Sequence, residues 1–332
     1  LLDEQGELTQ PGWARRLLPV YDRSRVRGGP LRLKERDCYL VMNRQCALAL
    51  TISDNRYMGM DSISLIDLWE GWQVTRSPMR LMPLGGTGLP QSSLRGSCAR
   101  AGRGYGLLFQ HEGEGRTLHA HMDRFRDGQA LDAQILLTQE PEESIVMCTP
   151  FEKPGQFYFN QKINCMRAQG KVTLGDREYV FDPEDSFAVL DWGRGVWTCR
   201  GTWYWGSASG MVDGVPFGFN IGYGFGDTSA ATENALFYGG KLHKLSQVTF
   251  HIPRKNGREH YLAPWTFDSD DRRFRMKFRP ILDRAACPSA GVVRSGQHQV
   301  FGSFTGTAVL DDGTAVRLKE LLGCAEKVDD RW

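Results

Sequence analysis

The residues best suited to chemistry crowd between positions 187 and 243. The string Leu190-Asp-Trp-Gly-Arg-Gly-Val-Trp197 is followed by Thr202-Trp-Tyr-Trp-Gly206, so four of the nine tryptophans accompany one acid and one arginine. In a strand beginning at Phe187, alternate side chains share a face, which places Asp191 beside Phe187 and Val189. Burying even a neutral polar group without a partner costs on the order of 2–7 kcal/mol, so this carboxyl needs a partner such as Arg194 or an upward pKa shift. Two readings follow. Asp191 is an acid or electrostatic stabiliser in a dry cavity, or it is a strand-end Asp capping a turn, with Arg194 as its ion pair. Trp203 and Trp205 share one face, which suits lining a pocket, stacking on a ring or filling a core.

Downstream, Phe217-Gly-Phe-Asn-Ile-Gly-Tyr-Gly-Phe-Gly-Asp227 alternates glycine with aromatic residues. A dinucleotide fingerprint would need a following helix in a βαβ unit, and a P-loop would need Gly-Lys-Ser/Thr; neither is present. Glycines spaced this way instead mark tight strand curvature or close backbone approach. Asp227, Glu233, His243 and, farther on, His298 supply acids and imidazoles that could sit at the mouth of a site. They could equally be loop residues in weak surface ion pairs. The candidate catalytic set is therefore Asp191, Asp227, Glu233 and His298, with Arg194, Trp203, Trp205, Asn220, Tyr223 and His243 as ligand contacts. No short ligand spacing supports a metal, and no cofactor motif is present, so none is expected. Gly-x-Ser-x-Gly and His-Glu-x-x-His are also absent.

These residues need a scaffold, and period-two alternation dominates the chain while helical spacing is scarce. The expected fold class is all-β. Apolar bursts on either side of Asn43-Arg-Gln read as a hairpin, and further strands are expected near residues 62–68, 106–111, 117–122 and 130–137. The second half repeats the theme from 171 to 318, in the regular spacing of barrels or sandwiches. Short helices are expected near residues 11–18 and 228–234. At 332 residues the chain exceeds one compact domain, and the Pro- and Gly-containing stretch between Cys148 and Cys165 places a boundary at 160/161. The C-terminal Arg331-Trp332 is expected to dock on the body.

Forty-one Lys+Arg against 39 Asp+Glu leave a formal charge of +2, so no global field draws the chain to nucleic acid or anionic lipid. No apolar run is long enough to span a bilayer. The eight cysteines lack zinc-knuckle spacing, which suits reduced thiols and a cytoplasmic protein.

The strings quoted above, with Phe157-Tyr-Phe-Asn-Gln-Lys-Ile-Asn-Cys-Met166, Gly222-Tyr-Gly-Phe-Gly-Asp-Thr-Ser-Ala-Ala-Thr-Glu-Asn234 and His298-Gln-Val-Phe-Gly302, resemble the bacterial family called domain of unknown function 2804, nearly end to end. More distantly, Asp191-Trp-Gly followed by Trp203-Tyr-Trp and a hairpin at Asp213-Gly214 is similar in order to carotenoid 1,2-hydratase and AttH-like proteins. That resemblance implies two lipocalin-like barrels packed together, with Asp191 facing a cavity.

The resulting expectation is a cofactor-independent lyase or isomerase that hydrates, cyclises or isomerises an apolar, terpenoid or lipid-like molecule in a barrel cavity in residues 161–332. Asp191 would be the acid, and Trp203, Trp205 and Tyr223 would shield a cationic transition state. One alternative is a non-catalytic carrier of an apolar small molecule. Another is a carbohydrate-active enzyme drawing an acid pair from Asp191, Asp227 and Glu233.

Overall fold

The structure, a computed structural model, describes residues 1–198, 200–286, 289–290 and 293–331. Cys199, Cys287 and the docking expected of Trp332 lie outside the described residues. Among those described, antiparallel strand is the dominant element, and the one helical element is a 3-10 turn at Arg23–Arg25. Neither expected helix forms. Gly12–Ala14 pairs with Cys148, Met147 and Val146 as a short strand. Residues 228–234 run as an extended loop, pinned where Asn234 Oδ1 accepts from the Gly222 amide at 2.7 Å.

The alternating pattern produces the expected hairpin. Lys34–Met42 pairs with Cys46–Asp54 in a register that sets Met42 against Ala47. Asn43 holds the turn, its side-chain oxygen accepting from the Gln45 and Cys46 amides at 3.0 Å each. Two large antiparallel sheets result, one of fourteen strands and one of ten, each curled around its own core. Together they form an all-β, paired-barrel fold.

In the first sheet the strand Phe187–Val196 is central, inserted between Lys34–Met42 and Phe157–Leu174. In the second sheet the last strand, Ala315–Arg331, takes the corresponding place between Arg200–Val212 and Val293–Val309. The expected boundary at 160/161 falls inside Phe157–Leu174, and the first sheet keeps the chain through Val196. Within the stretch between Cys148 and Cys165 expected to connect two domains, residues 151–156 are instead a hairpin turn. It joins Ile145–Pro150 to Phe157–Leu174, with Pro150 opposite Phe157. Prolines and a glycine mark a turn as readily as a linker.

Strand alternation divides every central strand between two environments. On Phe187–Val196, Ala188, Leu190 and Trp192 join Leu48, Leu65 and Phe159 in the core of the first sheet. Val189 points the other way, into a separate cluster with Leu40, Met42, Phe301 and Cys324 that cements the two sheets face to face. Polar links reinforce the contact. At a bulge in Phe157–Leu174, where Cys165 adopts φ 64°, the Asn164 amide nitrogen donates to Ser207 Oγ (2.8 Å) and the Phe219 carbonyl (3.1 Å) of the second sheet. The six described cysteines are unpaired. No helix among the described residues is long and apolar enough to cross a membrane, which says nothing of strands.

Candidate functional site

Beside the apolar cluster the facing sheets part and leave a cavity of about 890 Å³ counting its mouth. Its floor comes from the outer face of the first sheet, with Arg36, Met58, Met60, Tyr158, Lys162 and Asp191, and its roof from Trp203, Trp205 and Glu326 of the second. The interior of the second sheet, where the sequence reading put the site, is packed with Phe217, Phe219, Trp265, Phe267, Phe278 and Phe304. Alternation tells which residues share a face; it does not tell which face is the inside of a curl.

Asp191 is buried on the face it shares with Val189, as its strand parity predicts, and that face lines the cavity. Its partners are not the expected one. Lys162, directly opposite on the neighbouring strand, places Nζ 2.5 Å from Oδ1, and Arg36 places Nη2 2.5 Å from Oδ2. The Tyr158 hydroxyl lies 3.5 Å from Oδ1. Burial would raise the Asp191 carboxyl, but the charges and hydrogen bonds of Arg36 and Lys162 outweigh it and hold the group below the usual carboxylate range. Asp191 is thus an ionised carboxylate at neutral pH and has no proton to give. Burial beside that anion pushes the Tyr158 phenol up to about 12.

Glu326 behaves in the opposite way. It is buried in the roof and accepts from Gln297 Nε2 and Gln299 Nε2 at 3.0 Å each. Burial raises its carboxyl; the Gln297 hydrogen bond and the charges of Arg284 and Arg36 offset that only in part. A second carboxylate, Glu233, reaches the cavity from the loop after Val215–Tyr223. Asn220 Nδ2 donates to its Oε2 at 3.0 Å, while Asn220 Oδ1 accepts from Trp205 Nε1 at 2.8 Å. The Glu233 carboxylate occupies the space a side chain at Gly222 would need, a Cβ there falling 2.6 Å from Oε1.

One end of the cavity is aromatic. Phe225 packs edge-on against Tyr158, Trp197 and Trp203, with ring centroids 4.8, 5.9 and 5.0 Å apart. Lys162 Nζ stands 5.5 Å from the Trp205 ring.

Of the residues singled out in the sequence, Asp191, Glu233, Trp203 and Trp205 meet here, and Asn220 braces two of them. The others lie elsewhere. Arg194 points into the first sheet, where Nη1 binds Asp37 Oδ1 at 2.7 Å. Asp227 accepts from the Ser229 amide at 2.9 Å on the exposed loop. Tyr223 stacks on Tyr204, centroids 4.5 Å apart, beside the core of the second sheet. His298 pairs with Asp283 at 2.8 Å and stacks on Tyr261 at 3.8 Å. His243 Nδ1 accepts from the Asp311 amide at 3.2 Å.

Arg36, Lys162, Tyr158 and Glu326 went unnoticed in sequence. The signal was there for two of them: Lys162 interrupts Phe157-Tyr-Phe-Asn-Gln-Lys-Ile, and Glu326 ends Leu321-Leu-Gly-Cys-Ala. A charge at a buried strand position needs a partner or a task.

The family described as Domain of unknown function (DUF2804) matches residues 1–332, in keeping with the resemblance read from the strings above. No curated protein matches the chain. Among solved structures, a protein of Nitrosomonas europaea described as an AttH aligns over 95% of this chain and 97% of its own, at 12% identity and a TM-score of 0.54. Kievitone hydratase from Nectria haematococca aligns over 100% of this chain and 98% of its own, at 10% identity and a TM-score of 0.50. At such identities the likeness is one of fold.

Proposed function

We infer that this chain, which belongs to the DUF2804 family over its whole length, is a cofactor-free lyase or isomerase that moves protons on an apolar, unsaturated carbonyl compound held between the two sheets. The supporting observation is the charge of the cavity floor. Arg36, Lys162 and Asp191 sum to one net positive charge, in a space with aromatic walls. A unit charge about 5 Å away is worth roughly 3 kcal/mol at an effective dielectric of 20. Indole rings facing a desolvated cation are worth about 2 kcal/mol. Beside Arg36 and Lys162 a carbocation is therefore opposed by more than the tryptophans return, whereas an enolate-like oxygen placed against the two cations is favoured; the carboxyls of Glu233, Glu326 and Asp330 line other parts of the cavity. This reading replaces cation shielding with stabilisation of a developing anion.

On this reading each residue has a role. Lys162 spends one N–H on Asp191 and offers its others to a substrate carbonyl oxygen, while the single Tyr158 O–H is directed at Asp191. Asp191 keeps both cations in place. Glu326, its carboxyl raised by burial, gives a proton to carbon, and Glu233 is the carboxylate available to take one from carbon or from an attacking water. That the fold is shared with a protein named for hydration fits this reading.

Incubation with apolar enones and ketones in D2O tests it without knowledge of the natural substrate. The expected result is enzyme-dependent deuterium incorporation next to the carbonyl, seen by NMR, with Glu326→Gln slowing it by about 10²–10⁴-fold. Exchange at the uncatalysed rate throughout would overturn the assignment. A carrier is the second reading, favoured by the saturation of both Asp191 oxygens with cations. It predicts tight binding of the same compounds with no exchange.

A further inference from the structure

Four apolar side chains continue the cavity floor into open solvent. Met58 and Met60 line the cavity. The short strand Met79–Leu81 pairs with them in antiparallel register, Met60 against Met79 and Met58 against Leu81, so all four project from one face. Leu81 is 88% exposed and Met79 51% exposed. The intervening Arg80 points to the opposite face, where it grips the fully buried Asp61 through two hydrogen bonds of 2.9 Å and reaches the Ser53 carbonyl at 3.0 Å. That anchor fixes which way Met79 and Leu81 face. Exposing both to water is unfavourable, yet the strand holds them beside the cavity mouth.

We propose that Met79 and Leu81 form an outer subsite for the apolar tail of the cavity's own ligand, which is longer than the cavity. The proposal rests on the reading of the cavity as a site for an apolar molecule. From the strand bearing Tyr158 to the strand bearing Met79 the sheet takes five steps, through Phe187–Val196, Lys34–Met42, Cys46–Asp54 and Met58–Asp67. At about 4.8 Å per step this is roughly 24 Å. The ligand is thus an elongated amphiphile: its oxygenated part lies over Lys162 and Asp191, and its chain leaves across the methionines, whose flexible thioethers adapt to a chain without fixed shape.

The test is a titration of tryptophan emission with methyl ketones from 2-hexanone to 2-henicosanone, the longest of which reaches the outer strip, since Trp197, Trp203 and Trp205 all line the cavity. In the unmodified protein, affinity should rise about fourfold per methylene while the enclosed part fills, and about twofold per methylene once the chain lies half-covered on the outer strip. In the double variant Met79→Ser, Leu81→Ser the first part of the series should be unchanged and the second should flatten. Leu262→Ser, at an exposed apolar residue outside the cavity lining, should leave the whole series intact.

Equal dependence on chain length in the double variant and the unmodified protein would overturn the subsite and leave the cavity reading standing. No binding at any length would overturn both. If the double variant instead lost co-sedimentation with phosphatidylcholine vesicles while its ketone series stayed unchanged, the strip would be a lipid-docking face, and the proposal would fail.

Discussion

Two buried carboxyls face one cavity with their pKa values moved in opposite directions, and the cause is what surrounds each. Asp191 has a cation on either oxygen, whereas Glu326 has only the amides of Gln297 and Gln299. Their effects on stability run in opposite directions with pH. The folded-state pKa of Asp191 lies below its unfolded value, so its contribution is present at neutral pH and is lost as pH falls through the acid range. That of Glu326 lies above its unfolded value near 4.5, so folding is favoured below that pH and stability declines as pH rises through the folded value. Glu326→Gln removes the ionisation, and its neighbouring amides can flip to receive an amide in place of a carboxyl. At pH 8 the variant should melt about 2–4 °C higher than the parent if the relief is about 1 kcal/mol. At pH 4 the two should coincide. Calorimetry at the two pH values checks this, and an equal shift at both would mean that Glu326 does not titrate between them. The direction of Asp191 was legible in sequence because alternation fixes it. Its partners were not, since Arg36 lies 155 positions away and is brought alongside only by sheet order.

Glycine in the central strand shapes the cavity floor. Gly193 and Gly195 have the same parity as Asp191 and leave the outer face bare just beyond it. The two are kept small for different reasons. Gly195 has φ 148°, and a Cβ there would fall 2.2 Å from the Phe157 carbonyl oxygen, so both conformation and space exclude a side chain. At Gly193 a Cβ would meet the Tyr158 ring at 2.9 Å, and that ring can move. Gly195→Ala should cost about 2–3 kcal/mol in urea unfolding, as a strained backbone position does. Gly193→Ala should cost under about 1 kcal/mol while weakening ketone binding, because it shifts the Tyr158 hydroxyl away from Asp191. Equal stability losses in the two would contradict this division. Sequence patterning located the hairpins well, because alternation and an Asn turn are local signals. It misplaced helices at residues 11–18 and 228–234 because a few apolar residues after a turn fit either period, and only pairing partners such as Cys148 and Met147 decide between them.

The site belongs to neither sheet alone. Its floor is one sheet and its roof the other, and the spacing between them is set by the apolar cluster beside the cavity, which includes Leu40, Val189, Leu282 and Phe301. Sequence similarity and strand count pointed to paired barrels but assigned the cavity to the interior of the second, because nothing local says that the phenylalanines of Phe217-Gly-Phe fill that interior while Trp203 and Trp205 look outward. Stability and binding are therefore coupled through the contact between the sheets. Phe301 is fully buried in that contact and is not part of the cavity lining, so Phe301→Ala should cost about 3–5 kcal/mol through the void it leaves. If docking holds both sheets in one cooperative unit, far-ultraviolet dichroism and tryptophan emission should still report a single coincident urea transition, moved to lower concentration. Ketone binding should disappear along that same curve. Two separated transitions, with binding lost in the first, would mean that the sheets fold independently and that the cavity exists only while they remain pressed together.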